Sequence, residues 1–163
     1  MMKCGISPRG ARRNDLRFFI AYLAVFSFFC TASPARAEEV TQIKSNVTIL
    51  VASNEGNDFN LVNDAYRDEL IKLFSYTSYN QVDALRRDLV RGVAQKINLP
   101  EGYELLLTLQ GKENGRVQVQ AVIRKAGVQY VDTMLSILMP GVVFVGGPPV
   151  EKGSLIIVLE TGF

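Results

Sequence analysis

Two apolar runs rich in β-branched residues, Val142–Val145 and Leu155–Leu159, lie near the C-terminal end of the chain. They flank Gly146-Gly147-Pro148-Pro149-Val150-Glu151-Lys152-Gly153. Each run is too short for a helix and too apolar to face water on both sides, so the pair reads as two core strands joined by a structured loop. The rest of the chain is expected to pack against this pair.

Upstream, the strand signal is clearest where apolar and polar residues alternate. Arg116–Lys125 sets Val117, Val119, Ala121 and Ile123 against Arg116, Gln118, Gln120 and Arg124, one face buried and one wet. Tyr103–Gln110 before it and Val128–Leu138 after it read as strands, with turns at Gly111–Gly115, Ala126-Gly127 and Met139-Pro140-Gly141. Asn46–Ser53 is a further strand, apolar enough to be partly buried on both faces.

Between Asn46–Ser53 and Tyr103 the signals are mixed. Asn54–Asp58 is a turn cluster from which Asp58 or Asn60 can cap a helix. Val62, Ala65, Tyr66, Leu70, Leu73 and Phe74 then follow helical spacing, which predicts the main amphipathic helix of the domain. Val82, Leu85 and Leu89 also recur every three or four residues, so spacing favours a second helix over 80–91, whereas Val93–Leu99 alternates like a strand. The short connections make an antiparallel meander the simplest topology. The expected fold is α+β: an antiparallel, sandwich-like sheet with one helix near the start of the domain.

The first residues read as a leader rather than as fold. Lys3, Arg9, Arg12, Arg13 and Arg17 precede the uncharged apolar run Phe18–Ala32, then Ser33-Pro34 and an Ala35-Arg36-Ala37 site. This is the order of a secretory signal peptide cleaved after Ala37, with an uncleaved signal anchor as the alternative. A lipoprotein site at Cys30 fits less well, because bulky Phe28-Phe29 precede it. Cleavage of 37 of the 163 residues leaves 126, a polar lead-in at 38–45 and one domain over 46–163. Six of the 18 basic residues and one of the 16 acidic residues leave with it, so the net charge changes from +2 to −3. The basic balance therefore belongs to the leader, and nucleic acid is not an expected partner. Cys4 and Cys30 leave too, so packing rather than disulfides must hold the exported domain.

The chemistry is narrow. The chain has no histidine and its cysteines lie in the leader, which removes the usual nucleophilic triads and the common zinc and copper ligand sets. Asp64, Asp68 and Glu69, with Glu55 and Asp58 before them, leave carboxylate chemistry open. Acids at the start of a helix are also expected from its dipole alone. The 54–58 segment lacks the spaced ligands of a calcium loop. No catalytic, cofactor or metal residue is assigned. Two features could meet a partner: Gly146, Gly147, Pro148 and Pro149 as a rigid exposed ridge, and Tyr76 and Tyr79 from the aromatic cluster with Tyr66 and Phe74. The alternation Leu155, Ile157, Leu159, Thr161 also has the form of the last strand of an outer-membrane barrel.

The order Leu73-Phe74-Ser75-Tyr76-Thr77-Ser78-Tyr79, Leu99-Pro100-Glu101-Gly102, Val145-Gly146-Gly147-Pro148 and Leu155-Ile156-Ile157 resembles small exported bacterial envelope proteins. The likeness spans most of the chain after the leader. It implies strand rather than helix over 79–90, and it brings no catalytic residue. The expected function is a non-enzymatic binding or assembly role in the cell envelope, periplasmic or secreted, with another envelope protein as partner. The alternatives are a small glycan-binding or carboxylate-dependent cell-wall enzyme and a small outer-membrane barrel.

Overall fold

A computed structural model describes residues 40–61 and 64–162. The leader reading, 1–37, lies outside the described residues, as does Val62 of the expected helix. The described chain is mostly strand, arranged as two sheets packed face to face.

The first sheet holds β1 (Gln42–Ser53), β2 (Phe59–Asn60), β3 (Ser78–Val90), β8 (Gly141–Val150) and β9 (Gly153–Thr161) in the order β2-β3-β1-β9-β8. The second is a four-stranded meander of β4 (Ala94–Asn98), β5 (Tyr103–Glu113), β6 (Arg116–Lys125) and β7 (Val128–Leu138). The strands pair antiparallel except for the two-residue contact of β2 with β3, and an isolated parallel bridge joins Arg91, just after β3, to Leu109 of β5. Both tight turns of the meander, Asn114-Gly115 and Ala126-Gly127, have positive φ at both central residues (51° and 78°, 48° and 82°). That backbone matches the right-handed twist of the strands it joins.

Alternation decides what each strand buries. The inward residues of β5 and β6, among them Leu105, Leu107, Val119 and Ile123, meet Val47, Ile49, Leu155 and Ile157 of the first sheet in one core. β1 and β9 are buried on both faces, which explains their unbroken apolar runs. Leu50 and Ala52 of β1, with Ile156 and Val158 of β9, form a second cluster with Leu70 on the far side of the sheet. Leu70 belongs to α1 (Arg67–Leu73), which follows a 3-10 turn at Asp64–Tyr66.

Several expectations change. The helix is seven residues long and buries only Leu70, while Ile71 and Leu73 stay exposed. The fold is therefore an antiparallel sandwich with a small helical cap, not α+β with a main helix. Neither Asp58 nor Asn60 caps it: Tyr66 stands at the N-cap and makes no side-chain capping bond, Asp58 lends its backbone oxygen to Tyr79 N–H (2.8 Å), and Asn60 lies in β2. Residues 80–91 are not helical. Leu85 and Leu89 share a face of β3, and residues four apart share a face in a strand as well as a helix. The step of three from Val82 to Leu85 arises at a bulge, where Ile49 pairs with Asp83 and Leu50 with Gln81. The lead-in becomes strand at Gln42, with Ile43 and Ser45 buried. Only the second sheet is a simple meander; in the first, β1 is central between β3 and β9. Of the C-terminal pair β9 is central but β8 is an edge, and the described strands do not close into a barrel.

Candidate functional site

The sequence pointed to Gly146, Gly147, Pro148 and Pro149 as a loop, but these residues belong to β8. The loop between β8 and β9 is only Glu151-Lys152, and the register slips between Gly146 and Pro149 at a bulge. Pro148 is buried, and a side chain at Gly147 would press on Leu155 at 3.0 Å. The segment is thus the irregular part of an edge strand rather than a free ridge.

The tyrosines are mostly inward. Tyr79 is fully buried, stacked on Phe59 with ring centroids 5.4 Å apart and edge-on to Tyr76 at 6.4 Å. Its hydroxyl donates to the carbonyls of Leu70 (3.1 Å) and Phe74 (2.9 Å), so it ties α1 to the sheet instead of presenting a surface. Tyr76 is half-buried and donates to Ser154 Oγ at 2.9 Å. Tyr66 meets Phe144 edge-on.

Asp64, Asp68 and Glu69 are exposed on the helical segment. A separate cavity of about 420 Å³ at one end of the sandwich gathers Glu55, Asp58, Glu101, Glu151 and Lys152. Glu101 Oε1 accepts the Glu151 N–H at 2.6 Å. All four carboxylates there are exposed, whereas a glycosidase pair needs one acid in a desolvated pocket. Among the described residues no group of three or more acidic, His or Cys side chains is placed to hold a metal ion.

The remaining feature is the set of sheet edges. A strand edge carries unpaired N–H and C=O groups, and natural sheets block it with short strands, charge, proline or bulges. In the first sheet β8 has its bulge and Pro148-Pro149. The opposite edge has the two-residue β2 and then β3, which bulges at Val82 and carries Asp83, Arg86 and Asp88, with Arg87 on the face it shares with Leu85 and Leu89. In the second sheet β4 has five residues, and its Lys96 pairs with Glu104. β7 differs. It has eleven residues without Lys, Arg, Pro or Gly, a single charge at Asp132, and one bulge at Tyr130 near its start. Val128, Tyr130, Met134 and Leu138 are each at least half exposed along it.

The outer face beside this edge is a polar lattice. Gln120 donates to Asp132 Oδ1 (3.0 Å), Gln129 to Asp132 Oδ2 (3.1 Å), Gln118 to Ser136 Oγ (3.1 Å), and Arg116 Nη1 to the Ser136 carbonyl (3.4 Å). Farther in, Lys96 and Arg124 (3.0 Å) both bond Glu104. Those bonds, the Lys96 one first, hold the Glu104 carboxyl below its ordinary range. A lowered carboxylate pKa contributes stability that is full above the unfolded value and is lost as pH falls through the folded one. In an NMR titration the Glu104 midpoint should lie below the ordinary Glu value and move back up in Lys96→Ala. A midpoint that ignores the substitution would mean the pair does not form in solution.

No protein-family model, curated protein or solved structure matches the chain. The β7 edge had one sequence signal, eleven residues with no Lys, Arg, Pro or Gly and a single charge, but which strand lies at an edge is not written locally.

Proposed function

We propose that this chain is an exported, non-enzymatic protein of the bacterial envelope whose work is binding or assembly through the β7 edge. The observation that carries the reading is the contrast among edges: β2–β3, β4 and β8 are short, multiply charged, bulged along their middle or proline-bearing, and β7 is long, regular beyond Tyr130 and carries one charge, at Asp132. An added strand would receive main-chain hydrogen bonds for affinity, with Met134 and Leu138 beside it for side-chain contact. The signal-like leader supports export, and the net charge of −3 after cleavage turns the domain away from nucleic acid.

The test is to express the full chain in bacteria with a photo-cross-linking residue at Met134 and, in separate controls, at Val122 and at Lys96. The cells are then fractionated and the intact mass measured. The expected result is a soluble exported species beginning at Glu38 that gives one discrete adduct from position 134 and none from the controls. Absence of a position-134 adduct, or equal adducts from all three, would overturn the edge reading. Retention of residues 1–37 in the membrane fraction would overturn export by cleavage.

A further inference from the structure

We infer that the occupant of the β7 edge is a second copy of this chain, paired antiparallel about a two-fold axis at Met134, so that two four-stranded sheets become one of eight strands. The inference rests on the β7 reading above and narrows it to one partner.

The first support is the pattern of β7 about its own centre. An antiparallel two-fold pairing keeps each face of the sheet on its own side, so residues equally spaced from the axis meet. About Met134, inward Val131 meets inward Ile137 of the second copy, and Thr133 meets Leu135. On the outer face Met134 meets Met134, and Asp132 meets Ser136. Val131 on Ile137 and Met134 on Met134 are apolar pairs across the seam, Thr133 lies against Leu135, and the one charge faces a hydroxyl. A strand selected to receive a foreign segment has no need of this symmetry.

Charge then fixes the register. Centring the pair on Asp132 would set two carboxylates opposite each other, which is unfavourable. Centring it on Thr133 would place Asp132 against Met134, and on Leu135 against Leu138. Only the Met134 register among these four seats the carboxylate beside a polar residue. That place also has a cation: the Arg116 guanidinium reaches the Ser136 carbonyl at 3.4 Å, next to where Asp132 of the second copy arrives. One seam therefore brings two such Asp–Arg approaches, one from each side of the axis.

The opposite edge sets the size of the assembly. β4 is five residues long and its Lys96 is committed to Glu104, so the eight-stranded sheet offers no long edge at either end for further addition. A self-complementary patch used once on each copy closes as a dimer.

The experiment uses the full chain with Cys4→Ser and Cys30→Ser, which removes its only two cysteines. Into this background Met134→Cys is introduced, and Gln118→Cys as a control one strand inward, and both proteins are treated with a short bifunctional thiol cross-linker. The molar mass of the unmodified chain is measured by light scattering alongside Met134→Lys, which sets two ammonium groups face to face at the axis. Position 134 is exposed, so this variant should keep the native circular dichroism spectrum. The expected result is a two-chain mass, a covalent dimer from position 134 and not from 118, and self-association weakened at least about tenfold in Met134→Lys. A one-chain mass with no covalent dimer at 134 overturns the second copy as occupant. If the in-cell adduct from position 134 then persists at a mass other than two chains, the edge reading survives with a different partner. If that adduct is absent as well, both readings fall. A dimer that Met134→Lys leaves intact overturns this seam.

Discussion

Alanine at position 153 should destabilise the domain by about 3 kcal/mol or more, a large share of the stability of a chain this size. Gly153 opens β9 with φ +140°, a region that side chains rarely enter. A Cβ built there would sit 2.0 Å from the Ala52 carbonyl oxygen. Ala52 belongs to β1, which is paired on both flanks and buried on both faces, so it cannot move aside. Gly127 is the control. It has φ +82° in the β6–β7 turn with nothing within 4 Å, so Gly127→Ala meets only backbone strain, about 1 kcal/mol. Denaturant unfolding of the two variants separates the cases. Equal midpoints would mean that Gly153 is retained for its backbone angle alone.

Tyr79 carries the second large effect. Tyr79→Ala should cost about 3–5 kcal/mol, because it opens a cavity beneath α1 among Leu70, Phe59 and Tyr76. Tyr79→Phe keeps the ring and deletes the bonds to the Leu70 and Phe74 carbonyls, which should cost about 1–2 kcal/mol. Burial, the largest cause, also pushes the phenol above the ordinary tyrosine value. A pKa raised on folding contributes stability that is full below the unfolded value and is lost as pH rises through the folded one. The wild type should therefore lose more stability than Tyr79→Phe as the pH rises past about 10. Identical alkaline profiles would mean that the hydroxyl is solvated.

The same residues show what a sequence can reveal and where it stops. β6 was legible to the residue, since strict alternation and Ala126-Gly127 fix face and end together, and the bounds of β7 followed from its flanking turns although the bulge at Tyr130 breaks its alternation. Leu85 and Leu89 misled because a spacing of four fits both kinds of element, and a bulge at Val82 supplied the spacing of three. The segment ending at Phe74 has helical periodicity, yet Ile71 and Leu73 find no facing layer, since α1 covers only part of one sheet. Gly146–Pro149 has the composition of a loop, and that composition serves equally to spoil an edge. Strand order is what turns β7 into a surface and Tyr79 into a strut, and it depends on long-range pairing that no short window contains.

The placement of β1 also orders events in time. Its two neighbours are β3 and β9, and Asn46 and Glu160, which bond across the second seam, stand 114 residues apart. The meander β4–β7 can close hairpin by hairpin as it emerges, at little entropic cost. β1 emerges first yet keeps an unsatisfied flank until the final strand arrives. A chain released or clipped before Gly153 would hold a finished meander beside an open strand whose Ile49–Ala52 run is apolar on both faces, the kind of nascent species that chaperones guard and proteases clear.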